Sequence, residues 1–222
     1  MIIARWGADP QAAGVVMDII LGFRAHSGWA MAAAVAVTGG TPSVLDRRRI
    51  EITGAGLPRQ PYHEVEEWPL HSAEPYLARC MKESNRLAGE RIGELCRYVA
   101  AHGKVLGGAL LVGSGRSAIT VAEALSSHPR LHTAEGEMYR AAIRAGCAEH
   151  GITVSDVPEK TLWETATRRL RLTEEQLRDR LAAIGRALGP PWTQDEKFAS
   201  LAAWSAADGL TSSEGNATRP TG

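Results

Sequence analysis

The stretch from Asp18 to Val37, DIILGFRAHSGWAMAAAVAV, constrains the fold more than any other part of the chain. Two apolar runs flank the small-residue turn Ala25-His26-Ser27-Gly28, and Trp29 opens the second run. This pattern predicts a β-hairpin. A third strand is expected at 44–53 (VLDRRRIEIT), where β-branched residues mix with charges as on an exposed edge. The segment GAGLPRQPYHEVEEWP then breaks regular structure with three prolines and two glycines, so a long loop is expected there.

Beyond the loop the pattern changes period. From Ala73 to His102, Leu77, Cys80, Met81, Leu87, Ile92, Leu95 and Val99 recur at helical steps, and Gly103 ends the run. VLGGALLV (105–112) is too short for a free-standing helix and reads as a buried strand. GSGRS (113–117) opens a short helical stretch to Leu125, Pro129 marks a turn, and a helix is expected from Ala134 to His150. ITVSDV (152–157) is a strand candidate, and Pro158 suits the entry to a helix ending near Arg171. Thr173 with Gln176 forms a capping box for a helix through Leu188, stopped by Gly189-Pro190-Pro191. Thr193 with Glu196 repeats the box before a last helix to Ala207. The reading is an α/β fold: a three-strand meander, then alternating helices and strands, giving a mixed five-stranded sheet covered by helices.

With 222 residues, 44% of them hydrophobic, the chain can bury one sizeable core, so a single domain over 17–208 is expected. Residues 1–16 read as a peripheral extension with Met17 as an alternative start, and the polar segment 209–222 as a disordered tail. Lys plus Arg equals Asp plus Glu at 25 each, which excludes attraction to polyanions by net charge alone and eases self-association. Cys80, Cys96 and Cys147 read as buried thiols in a reducing compartment. With no long apolar span and no secretion signal in MIIARWGADP, the expected location is cytoplasmic, away from membranes.

The element order, Ile20-Leu21-Gly22-Phe23-Arg24 with Ser27-Gly28-Trp29-Ala30 at the first hairpin, and the small-residue helix from Asp195 to Trp204 resemble the ribonuclease H-like superfamily, in its RuvC-type resolvase branch. The resemblance implies two-metal nuclease chemistry, which requires several carboxylates converging on a pair of cations. The chain departs from that set. Arg24 stands where the family carries its first-strand acid, Gly113-Ser114-Gly115-Arg116 offers no carboxylate, and Lys197 aligns with the family's last-helix acid, although Asp195 and Glu196 are near.

Arg24, His26, Glu135, Glu137, Arg140, Asp195 and Lys197 form a candidate polar cluster at the carboxyl ends of the central strands, with Glu135 and Asp195 as its catalytic candidates. The ordinary alternative is mutual neutralisation of these charges beneath loops. Ser114 and Arg116, in a loop between strand and helix, are candidates for receiving a phosphate. No metal site is assigned: the seven histidines show no zinc-type spacing, and His128 and His132 straddle Pro129, which places them off a shared helical face. The basic runs Arg47-Arg48-Arg49 and Arg168-Arg169 with Arg171 are candidate phosphate contacts, each with acidic neighbours. Three functions follow. One is a non-catalytic relative of resolvases that binds nucleic acid or another phosphorylated ligand. Another is a divergent hydrolase using Glu135 and Asp195 with Mg²⁺. The third is a scaffold that self-associates or holds a protein partner.

Overall fold

The computed structural model describes residues 16–113 and 120–214. Residues 1–15 of the extension expected at 1–16, the candidates Ser114 and Arg116, and residues 215–222 lie outside the described residues. Strands β1 (Met17–His26) and β2 (Trp29–Thr38) form the expected hairpin, with Gly28 at φ 84° in the turn, and β3 (Thr41–Glu51) completes the meander. A short helix α1 (Pro61–Glu64) lies inside the segment expected to be a loop, because Pro61 pre-sets the first helical turn. Helix α2 (Leu70–Val99) follows, then β4 (Gly103–Val112), α3 (Val121–Leu125), α4 (His128–Glu149) and β5 (Val154–Pro158). A 3-10 turn at Glu159–Thr161 leads into α5 (Leu162–Leu170), followed by α6 (Glu174–Leu188) and α7 (Gln194–Glu214).

The sheet order is β3-β2-β1-β4-β5, antiparallel within the meander and parallel at β1–β4 and β4–β5. Strand alternation sends Ile19, Leu21 and Phe23 to one face, where Leu77, Ile92 and Leu95 of α2 and Tyr139 and Ile143 of α4 cover them. Ile20, Met31, Val35 and Leu111 face the other way, under Leu162 of α5, Leu177 of α6 and Leu201 and Trp204 of α7. The small residues of α7 let it lie directly on the sheet: a Cβ at Gly22 would overlap the Ala199 carbonyl. Cys80 and Cys147 are buried and Cys96 half-buried, all unpaired, and burial pushes the Cys147 thiol up to about 12.

Two boundaries are corrected. Helix α4 starts at His128, not Ala134, with Pro129 in its first turn, where a missing N–H breaks no helical bond. His128 and His132 therefore do share a helical face. The last helix continues past Ala207 to Glu214, so residues 209–214 are helical rather than part of a disordered tail. No helix among the described residues is long and apolar enough to cross a membrane.

Candidate functional site

Arg24 sits near the carboxyl end of β1, two residues beyond Gly22 and so on the same α7-facing side of the sheet. Glu196 accepts from the Thr193 backbone N–H (2.8 Å), and Thr193 Oγ1 accepts from the Asp195 N–H (3.3 Å). This cap fixes the first turn of α7 and with it the position of Asp195. Arg24 then donates through Nη1 to Asp195 Oδ1 (2.5 Å) and, in a fork, through Nη2 (2.6 Å) and Nε (3.2 Å) to Glu159. His26 Nε2 donates to the same Asp195 Oδ1 at 2.8 Å, since an ionised carboxylate only accepts, and the imidazole stacks on Trp29 at 4.2 Å.

The Arg24 and Asp195 side chains are 16% and 21% exposed, so solvent screens the pair only in part. Burial disfavours the charge on Arg24, but the hydrogen bonds it donates to Glu159 and Asp195 outweigh it and hold the guanidinium above its ordinary pKa. Burial would likewise raise Asp195, yet His26 and Arg24 outweigh it and keep the carboxyl below its ordinary value. The rim is thus a guanidinium clamped between two carboxylates. A divalent cation does not fit this donor set: both Glu159 oxygens accept from Arg24, Asp195 Oδ1 is shared by Arg24 and His26, and a guanidinium whose charge cannot be removed occupies the space between the two acids. No catalytic step through such an ion follows from these residues.

Beside the rim, and sharing Phe198 with it, lies a groove of about 400 Å³ lined by Trp163, Arg178, Gln194, Lys197 and Phe198. Arg178 lies over the Trp163 ring at 4.1 Å and pairs with Glu174 at 2.5 Å. Lys197 has no ion-pair partner among the described residues.

The expected seven-residue cluster does not form as one. Arg24, His26 and Asp195 meet at the rim and Lys197 flanks it, joined by Glu159, which sequence reasoning missed. Glu137 and Arg140 belong to a separate network at the α4–β5 edge: Arg140 donates to Glu137 (2.9 Å), and Arg144 bridges Glu137 (2.7 Å) and Asp156 (2.9 Å). Glu135 lies on the opposite face of the sheet, within the α2–α4 layer, 2% exposed. It accepts from the Tyr62 backbone N–H and from His63 Nδ1, each at 3.1 Å. Burial pushes its carboxyl up to about 7, against the lowering effect of the Tyr62 and His63 backbone N–H groups. Nearby, Tyr139 donates to the Arg59 carbonyl (2.7 Å), so α4 pins the segment that follows β3. Glu135 and Asp195 therefore cannot act together on one substrate atom, because the sheet stands between them.

The arginines of β3 are also engaged. Arg47 donates to the Gly189 carbonyl (2.7 Å), Arg48 to Asp46 (2.5 Å) and Arg49 to Glu51 (2.6 Å), and they lie over the Trp192, Tyr98 and Trp29 rings respectively. Arg168, Arg169 and Arg171 are exposed around the end of α5, where Arg171 is left-handed at φ 53°.

No protein-family model and no curated protein matches the sequence. Among solved structures the chain is similar to RuvC of Thermus thermophilus, with a TM-score of 0.53 at 12% identity over 88% of this chain and 96% of that one. The same Thermus protein in complex with a Holliday junction substrate gives 0.53 and 12% over 90% and 96%. A yeast mitochondrial Holliday junction resolvase gives 0.47 and 8% over 92% and 84%. The likeness to the Thermus structures is one of fold: the chain has a ribonuclease H-like α/β fold, a mixed five-stranded sheet covered by helices.

Proposed function

We propose that this chain is a non-catalytic nucleic-acid-binding protein of ribonuclease H-like fold, in which an internal ion network has taken the place of a cation-binding centre. The observation that carries the reading is Arg24, held at the rim by Asp195 and Glu159. The adjoining groove supports the binding half. Lys197, with no ion-pair partner among the described residues, offers a cation for a phosphate, and Trp163 and Phe198 offer aromatic surface for a base, the pairing that holds single strands without reading sequence. The Thermus complex with a Holliday junction makes a branched DNA the first ligand to try.

The test is fluorescence anisotropy with a labelled four-way junction, a single strand and a duplex at low salt, with a cleavage assay on the same DNAs in Mg²⁺ and Mn²⁺. Binding of at least one form, weakened by Lys197→Ala and Trp163→Ala and unaccompanied by cleavage, is the expected result. Absence of binding to all three DNAs, or metal-dependent cleavage abolished by Asp195→Asn, would overturn the proposal.

A further inference from the structure

The start of α4 and the short helix α1 bring three imidazoles together on the side of the sheet away from the rim. His63, His128 and His132 each place a ring nitrogen within 4.8 Å of the others, half-buried in the first case and exposed in the other two. His128 Nε2 and His132 Nε2 are 3.0 Å apart. A tetrahedral ion with nitrogen ligands at about 2.0–2.1 Å requires neighbouring nitrogens roughly 3.3 Å apart, so this pair already stands near chelating separation. The His63 ring meets the His132 and His128 rings at 4.6 and 5.5 Å between centroids.

The helix explains the arrangement. Positions 128, 132 and 135 follow one stripe of α4, so two imidazoles and a carboxylate face the segment that carries His63. Glu135 accepts from His63 Nδ1 at 3.1 Å, which leaves Nε2 of that ring with its lone pair free. Glu66 Oε1 lies 3.6 Å from His128 Nδ1, again on the ring nitrogen away from the pair. Carboxylates behind the far nitrogens of imidazoles are the usual support of metal-bound histidines. The Glu135 carboxylate is buried, and its Oε1 has no hydrogen-bond partner among the described residues, so it holds unspent acceptor capacity next to the imidazoles.

We propose that His63, His128 and His132 bind one divalent transition-metal ion of the zinc class, with Glu135 positioning His63 and a coordination position open to solvent on the exposed side. Imidazole donors select such an ion over Mg²⁺ or Ca²⁺, which prefer oxygen. The ion ties α1, and with it the connection from β3 to α2, to the first turn of α4. The site is independent of the DNA-binding proposal, because it lies on the other face of the sheet and shares no residue with the rim or the groove.

The experiment is a titration of untagged full-length protein with Co²⁺, followed by visible absorption, then displacement by Zn²⁺ and a thermal melt with and without Zn²⁺. One equivalent of Co²⁺ with a ligand-field spectrum, displaced by Zn²⁺ but not by Mg²⁺, and a Tm raised by Zn²⁺ are expected. His132→Ala, at an exposed position, should abolish the spectrum while leaving the circular dichroism unchanged. Glu135→Gln should weaken binding by roughly 10- to 100-fold. A parent protein that takes up no Co²⁺ and gains no Tm from Zn²⁺ would overturn the proposal, as would an unchanged spectrum in His128→Ala/His132→Ala.

Discussion

Arg24 holds two carboxylates that come from distant parts of the chain, Glu159 on the 3-10 turn after β5 and Asp195 on α7. Removing the guanidinium leaves the part-buried Glu159 without its donor and Asp195 with His26 alone. Arg24→Leu is therefore expected to cost roughly 1–3 kcal/mol at neutral pH, read from urea unfolding, and Arg24→Lys should recover only part because an ammonium cannot make the fork. Asp195 adds a pH dependence. Its folded-state pKa lies below the ordinary value of 3.8, so its contribution is present above that value and is lost as pH falls through the lower folded value. Denaturation curves between pH 5 and pH 2 should show a shallower acid loss in Asp195→Asn than in the parent; equal slopes would remove Asp195 from the account. Arg24, His26 and Asp195 were legible in the sequence as rim residues because the hairpin and the last helix announce themselves locally. Glu159 was not, because its role depends on how β5 ends against β1, a tertiary fact with no local signature.

At the scale of elements, the approach of α7 to β1 is closest at Gly22, where the Ala199 backbone occupies the space a side chain would need. Gly22→Ala should therefore destabilise by about 1–3 kcal/mol through overpacking, visible as a lower Tm, whereas Gly39→Ala in the open β2–β3 turn meets no neighbouring atom and tests only its φ of 57°. The strands and the capped helices α6 and α7 were readable because alternation and the Thr173–Gln176 pair are short-range signals, and that reciprocal cap is present at 2.9 and 3.2 Å. The start of α4 is not legible in the sequence, because a proline that signals a turn is equally at home in the first turn of a helix, where Pro129 stands. The helical face shared by His128 and His132, and with it the three-imidazole cluster, depends on that start.

The whole molecule is two cores divided by a sheet, one under α2 and α4 and one under α5, α6 and α7. Sequence order placed Glu135 and Asp195 near the same strand ends but could not say which face each helix covers, and the layers set them apart. With equal numbers of basic and acidic groups overall, any hold on DNA must come from a local patch. Affinity for a four-way junction should then fall with a modest slope in log salt, and Lys197→Ala should reduce that slope by about one phosphate contact. A slope unchanged by Lys197→Ala would move the contact elsewhere on the surface. The guanidinium at the rim has one more consequence. A counter-ion tethered by its own side chain cannot be stripped by a chelator or diluted away, so the charge balance there is indifferent to how much free magnesium surrounds the protein.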